Sequence, residues 1–483
     1  MTTDNKGYSV ASDASVLEST PEADAAAFAS DAGPRNVVDA FKGYVAKVRG
    51  GEGGALPAIL GALVLVIIFA NTSDVFLSKG NFANLLQQAA QISVLGMGMV
   101  FVLLIGEIDL SAGTAGGVCA ASLALALNND GDLQASLGTG VFVALMLIMV
   151  ATVVLAALSK LWIPAVIIAL GIVVAVAHLG TTQLLAMFLS VAVGTSIGTL
   201  IGFLVARVGI PSFIVTLALF LAWQGVLLKF IGTGAAIPTR NFDLVDKIEN
   251  GYMPVVFAWV VWALAMLAYL GTTAYRSISR RREGLSAEPL DLVLVRAGAI
   301  AVVTGIAVFV LNQDRSRTVF AKIQGVPWAV LIVAIVFVFW TYILTRTQYG
   351  RFLYAVGGNR QAARRAGIDV KRIRMSAFVI CSGMAGLAGI IGASYLGGVP
   401  SDFGKNTDVL YAVGAAVIGG TSLFGGRGKV RDAVIGAIVI AMIPNGLNLI
   451  KNISSAYVFL VTGLVLLVAA GADALSRRSP AED

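Results

Sequence analysis

Charge is scarce in this chain: 13% of its 483 residues are Asp, Glu, Lys or Arg, against roughly 25% in soluble domains, while 58% are hydrophobic. That shortage excludes an ordinary soluble enzyme and points to an integral membrane protein. Histidine and cysteine are scarcer still. The single histidine, His178, closes an apolar run beside Leu179 and Gly180 with no nucleophile or metal-ligand pattern around it, so packing accounts for it better than catalysis does. Cys119 and Cys381 lie in apolar runs without a CxxC or His neighbour, which argues against a disulfide framework or a metal site. A P-loop is missing too. At Gly428-Lys429 the next residue is Val430, and Leu423 stands where the first glycine belongs, so this chain is not expected to hydrolyse ATP. No catalytic residue, cofactor or metal is assigned. The formal charge of +7 resides in loop clusters, the pattern of cytoplasmic membrane flanks and not of nucleic-acid binding.

What is present is apolar sequence in long runs. About fourteen of them approach the roughly 20 residues needed to cross a bilayer core, from 55–72 through 84–105, 110–128, 138–158 and 162–180 to 456–475. The fold class is all-α, a polytopic transmembrane bundle of about 10–14 helices with broken or re-entrant segments. Residues 1–53, rich in Ala, Ser and Asp, read as a disordered cytoplasmic tail. Residues 54–478 form the transmembrane domain, and 479–483 a C-terminal cytoplasmic tail. With the N-terminus inside, alternation places the basic loops at 275–289, 346–375 and 424–432 inside as well. One loop dissents, because Asp314, Arg315, Arg317 and Lys322 fall outside.

The most polar stretch between apolar runs is Tyr349 to Phe378. From Arg346 to Arg374 it carries eight Arg or Lys residues against one acid, Asp369, which fixes it on the cytoplasmic face. Within it Asn359 is suited to cap a short helix and Gly367 to close it in a left-handed turn. Ala362, Ala363 and Ala366 share one side at helical spacing, with Arg360, Gln361, Arg364 and Arg365 around the rim. Such a helix suits insertion into a socket on a cytoplasmic partner, and also suits a plain charged loop.

A second stretch, Gly106–Gly113, reads GEIDLSAG. Glu107 and Asp109 are the only ionisable residues from Leu85 to Leu127. Asp109 is placed to cap the following helix through the amides of Ser111 or Ala112. At the membrane surface these acids make a wet turn; deeper, each costs about 3 kcal/mol unless bonded, and marks a transport path or the hinge of a discontinuous helix. A third stretch, Val413–Arg431, is another Gly-flanked interruption, and the pair reads as equivalent points of an internal repeat.

Several motifs in one order resemble the permease subunits of bacterial monosaccharide ABC importers, the ribose, galactose and xylose class, with the xylose type nearest: GEIDLSAG, IPSFIVTLALFLAWQGVLL (210–228), GGNRQAARRAGIDVKR (357–372), VIGGTSLFGGRG (417–428) and PNGLNLI (444–450). The insert RSISRRREGLSAEP (276–289) with its added apolar run is the xylose-type feature. The resemblance implies a multi-pass protein of the bacterial cytoplasmic membrane acting as a homodimer among lipid. Sugar comes from an extracytoplasmic binding protein and energy from cytoplasmic ABC ATPase subunits seated on a coupling helix, Asn359 to Gly367. Gln361 departs from the family's Glu there, and the runs at 138–158 and 162–180 imply two extra helices. Sugar hydroxyls need polar partners, and the candidates are Glu107, Asp109 and Ser111 at the break, Thr216, Trp223 and Gln224 on one run, and Asn445 and Asn448 near the end. Two other readings stand beside this one: a proton-coupled secondary sugar transporter using Glu107 or Asp109, and an ABC permease for branched-chain amino acids or nucleosides.

Overall fold

The computed structural model describes residues 54–476 apart from 285–286, 288, 317–321, 406 and 452, together with Asp39, Lys42 and Gly43. Those three positions apart, the expected tails at 1–53 and 479–483 lie outside the described residues.

Helices follow the apolar runs. They are α1 (Leu56–Thr72), α2 (Lys79–Leu104), α3 (Ala112–Asn128), the short α4 (Leu133–Leu137), α5 (Thr139–Leu158), α6 (Trp162–Val176), α7 (Gln183–Phe203) and α8 (Ser212–Ile231). A strand β1 (Ala236–Pro238) and an amphipathic helix α9 (Asp243–Asn250) precede α10 (Val255–Arg282), α11 (Leu290–Leu311) and α12 (Trp328–Arg346). Then come α13 (Gln348–Gly358), α14 (Arg360–Arg365), α15 (Val370–Leu396), β2 (Gly398–Pro400), α16 (Asp408–Ile418), α17 (Val430–Asn448) and α18 (Ser455–Ser476). Among the described residues, 9 helices are long and apolar enough to cross a membrane, and shorter apolar ones accompany them. The chain is thus an all-α membrane protein. Polar residues set the ends: Ser78 accepts from the amide of Asn81 to start α2, and Asp369 accepts from Arg372 to start α15.

Two units divide the chain. One consists of Met1–Ala46 with Trp262–Thr304, the other of Lys47–Val261 with Gly305–Asp483. In the first, the described part of the α10–α11 hairpin is cross-linked by the indole of Trp262 donating to Thr304 Oγ1 at 3.0 Å. This hairpin carries the basic insert noted in the sequence.

In the second unit α2 and α15 form an antiparallel pair at the centre, each largely buried. Apolar residues such as Met97, Phe101 and Leu104 on α2 pack with Phe378, Cys381 and Ala385 on α15. Helix α7 lies along α15, and α17 lies along α2. Likewise α3 touches α15, α7 and α8, while α16 touches α2, α17 and α18. The set α2, α3, α7, α8 therefore corresponds to α15, α16, α17, α18 with opposite direction through the membrane, an inverted repeat. The extra hairpin α5–α6 packs onto α7, as the long runs at 138–158 and 162–180 implied.

This arrangement corrects one expectation. The counterpart of the break after α2 is the stretch 397–407 after α15, not the Thr421-Ser422 turn, because helix neighbours and not a shared Leu-Ser pair define equivalence. Both interruptions reach into the bundle. Asp109 stands beside Ser382, eight residues and so about 12 Å along α15 from Arg374. From the other side 401–405 comes in until Gly404, with Val409, meets Gly113, where neither glycine has room for a Cβ.

Loops at one end of this unit carry the basic clusters 346–374 and 427–431, so that end is cytoplasmic. Of the dissenting outer cations, Arg315 donates to the carbonyls of Leu311 and Gly325 and lies 5.0 Å from the Tyr252 ring centre, serving as a staple of the outer loop, while Arg317 lies outside the described residues.

A side chain at Gly194 would run into the carbonyl of Ser382 across the α7–α15 contact, whereas Gly225 has open space around it. We expect Gly194→Val to destabilise by about 1–3 kcal/mol and Gly225→Ala to change little, as read from the thermal midpoints of the two detergent-solubilised variants.

Candidate functional site

At the cytoplasmic end the break between α2 and α3 is held by side chains from three other elements. The α2 helix ends at Leu104 because Gly106 takes a positive φ of 69°, which glycine adopts without strain. The exposed carbonyls are then taken up one by one. Leu104 accepts from the amide of Gly426 at 2.8 Å, and Ile105 accepts from the Arg360 guanidinium at 2.8 Å. Ile108 accepts a long bond from Thr216 Oγ1 at 3.5 Å.

Glu107 is the hub. Its Oε1 receives Arg360 at 2.8 Å and Arg374 at 2.6 Å, while Oε2 receives the hydroxyl of Ser212 at 2.5 Å. Only 8% of Glu107 is exposed. A buried carboxylate of this kind persists because two cations and a hydroxyl replace its water shell. Four segments thus converge on one side chain: the break itself, α8 through Ser212, α14 through Arg360 and α15 through Arg374.

Helix α14 is locked at both ends. Asn359 Oδ1 accepts from the amides of Gln361 and Ala362 at 3.0 and 2.9 Å. The Gly367 amide donates to Arg364, and the Ile368 amide donates to Ala363, with Gly367 at φ 80°, the paired bonds of a Schellman turn. The alanine face splits, however. Ala363 is buried in the core, whereas Gln361, Ala362, Arg364, Arg365 and Ala366 are exposed, because six residues leave room for one inward-pointing side chain.

Asp109 is fully buried and accepts from both the amide and hydroxyl of Ser111, at 3.0 and 2.7 Å. With Glu107 also buried, the break is not a wet surface turn. The remaining candidates scatter. Thr216 touches the break, but Trp223 and Gln224 lie seven and eight residues farther along α8, so about 10–12 Å away along its axis. Trp223 is buried and Gln224 half-buried. Asn445 makes a reciprocal amide pair with Asn81 at 2.9 and 3.0 Å, joining α17 to α2 at the outer end, and Asn448 is exposed at the end of α17.

A transport-system permease family matches this organisation: the family model described as branched-chain amino acid transport system / permease component covers residues 164–470. Similar curated proteins include the xylose transport system permease protein XylH of Escherichia coli, 30% identical over 87% of this chain and 92% of that protein. The XylH of Haemophilus influenzae is 28% identical over 86% of this chain and 95% of its own length. The ribose import permease protein RbsC of Escherichia coli is 28% identical over 85% of this chain and 91% of its own. The chain belongs to this permease family. No solved structure matches it. As a permease it is a transport subunit and not an enzyme, a multi-pass protein of the cytoplasmic membrane.

Sequence reasoning missed several polar residues of the permease. Arg374 and Ser212 were invisible as partners of Glu107, since only folding brings 107, 212 and 374 together. In the outer half, Asn84, Gln88 and Gln91 line one face of α2, and their spacing of four and three residues within NLLQQAAQ was a legible signal. Glu249 on α9 was missed as well. It is 0% exposed, its two carboxyl oxygens have no hydrogen-bond partner among the described residues, and burial pushes its pKa up to about 9.

Replacing Glu107 by Gln leaves two guanidiniums facing a neutral group. We expect a loss of about 3 kcal/mol, seen as a lower thermal midpoint, whereas Arg364→Gln on the exposed face of α14 should leave the midpoint unchanged. Glu249 gives a pH signature. Its folded-state pKa lies above the ordinary carboxylate value near 4.3, so the protonated fold is favoured fully below about pH 4 and that stabilisation is lost as pH rises towards about 9. Glu249→Gln, the shape of the neutral acid, should therefore melt increasingly above the unsubstituted protein from pH 5 to 9.

Proposed function

We propose that this chain is the membrane-spanning subunit of an ATP-binding-cassette importer carrying a monosaccharide, xylose or a similar sugar, across the bacterial cytoplasmic membrane. Its partners are a cytoplasmic ATPase and an extracytoplasmic sugar-binding protein, and it works as a homodimer embedded in lipid. The observation that carries the reading is the exposed, doubly capped helix Arg360–Arg365, whose first residue is bonded into the break between α2 and α3.

In this reading α14 is the coupling helix. Nucleotide-driven closure of the ATPase displaces Gln361, Ala362, Arg364 and Ala366, and the rigid caps pass that displacement to Arg360. Arg360 grips Glu107 and Ile105, so the movement reaches the break, and through Arg374 and Ser212 it reaches α15 and α8. Asp109, Ser111 and Thr216 lie at the hinge that responds. Trp223, Gln224 and Asn448 remain candidates for contact with the moving sugar, while the Asn445–Asn81 pair supports a role in holding helices together.

At Glu107 the proton-coupled alternative meets a carboxyl group whose Oε1 is already shared by two guanidiniums. The amino-acid alternative rests on the family's own description. The sugar reading rests on relatives named for xylose and ribose transport that align over most of their length.

Reconstitution of the chain with its ATPase and loaded binding protein should give ATP-dependent uptake, and uptake by the chain alone under a proton gradient would overturn the importer reading. Gly367→Val forces a β-branched residue into the left-handed turn and should lower uptake at least tenfold while ATP hydrolysis continues. Unchanged uptake in that variant would remove α14 from its coupling role.

A further inference from the structure

Three elements of the second unit bring a half-exposed polar wall together in the outer half of the bundle. On α2, Asn84, Gln88 and Gln91 follow one another at helical spacing, all half-buried in a helix whose later turns are closed apolar core. From the end of α15, the Tyr395 hydroxyl donates to Asn84 Oδ1 at 3.4 Å and lies within bonding reach of Gln88. At the start of α16, Asp408 Oδ2 accepts from Gln91 Nε2 at 3.1 Å. The stretch 401–405 adds an aromatic edge. Phe403 Cζ and Gln91 Oε1 both occupy the space beside Gly392, where a Cβ would come within 2.6 and 2.7 Å of them.

The wall is half-buried and not sealed: Gln88 and Gln91 are each partly exposed, and a primary amide offers two donors and an acceptor oxygen, more than the single bond from Gln91 to Asp408 employs. Close to Tyr395 lies Glu249, fully buried, whose two carboxyl oxygens have no hydrogen-bond partner among the described residues.

We propose that Gln88, Gln91, Tyr395 and Asp408, edged by Phe403, form a subsite that takes the hydroxyls of the sugar in transit. The chemistry matches. A sugar hydroxyl both donates and accepts, as do a primary amide and a phenol, and a carboxylate accepts a further hydroxyl proton. Phe403, 5% exposed, closes the wall with an apolar ring atom beside Gly392. The subsite lies where the interruption after α15 enters the membrane, about 18 Å along α2 from its outer end to Gln91. A sugar released at the outer surface meets it before reaching the break at Glu107. This inference rests on the importer reading above and adds the residues that meet the substrate.

The test uses the full complex in proteoliposomes, with radiolabelled D-xylose and D-ribose and the mono-deoxy analogues of xylose. Gln91→Ala, Asp408→Asn and Tyr395→Phe should each lower sugar uptake at least tenfold. ATP hydrolysis stimulated by the loaded binding protein should stay within twofold. At least one deoxy analogue should be penalised in the unsubstituted complex but not penalised further in the variant that has lost its partner, a non-additivity from which the binding protein's own preference cancels. Unchanged uptake overturns the subsite, as does a parallel loss of uptake and ATP hydrolysis, which marks a structural role, or strictly additive effects of variant and analogue. Failure of the unsubstituted complex to take up any sugar with ATP falls on the importer reading itself, and so is separable from failure of the subsite.

Discussion

A backbone inside a bilayer has no water to bond, so each N–H and C=O left by an interrupted helix needs a partner from the protein itself. That constraint governs this permease. The break after α2 gives up regular hydrogen bonds at Leu104, Ile105 and Ile108, and the replacements come from Gly426, Arg360 and Thr216. After α15 the chain is held by the short β1–β2 pairing and by Ser401 donating to Ala235. Interruption is therefore tolerated only where several helices already surround it, which is why both breaks adjoin the central pair α2 and α15.

In the proposed mechanism, Glu107 turns that satisfaction into a mechanical link. A single carboxylate bonded to two arginines and a serine is expensive to desolvate, and its partners cannot leave one at a time without exposing a buried charge. Groups bound in this way move together. The same network that satisfies the break thus ties it to α14, a doubly capped helix largely exposed, and to the central helix α15. Specificity for the cargo has no need to reside there, and the polar wall of α2, Tyr395 and Asp408 lies in the opposite half of the bundle. In that proposal the driven end and the cargo-facing end are separate, as an inverted repeat allows, since its two breaks enter from opposite surfaces.

Much of this was legible in the chain. Apolar runs gave the helices, and the arginine-rich loops gave the cytoplasmic end. Asn359 and Gly367 bounded α14 as their cap and left-handed propensities require. Asp109 capped at Ser111, as its spacing indicated. The alanine stripe of α14 divides in the fold, Ala363 turning inward and Ala362 and Ala366 staying exposed, because sequence periodicity describes a face but not how much of a six-residue helix is covered. The repeat was detectable as an idea and misassigned in position, since a two-residue likeness carries less information than the packing of four helices.

Composition, periodicity and charge by themselves determined that this protein crosses a membrane many times, which end faces the cytoplasm, and where caps such as Asn359 and Gly367 bound a helix. These properties depend on local hydrophobicity, capping and loop charge, all written within a few residues of where they act. Only the tertiary structure decided that Glu107 meets Arg360, Arg374 and Ser212, that both breaks lie within the bundle, and that Gln91 meets Asp408. Those contacts join residues up to hundreds of positions apart, and their geometry follows from how closely helices approach at glycines such as Gly113 and Gly404, a property of packed pairs that no single helix encodes.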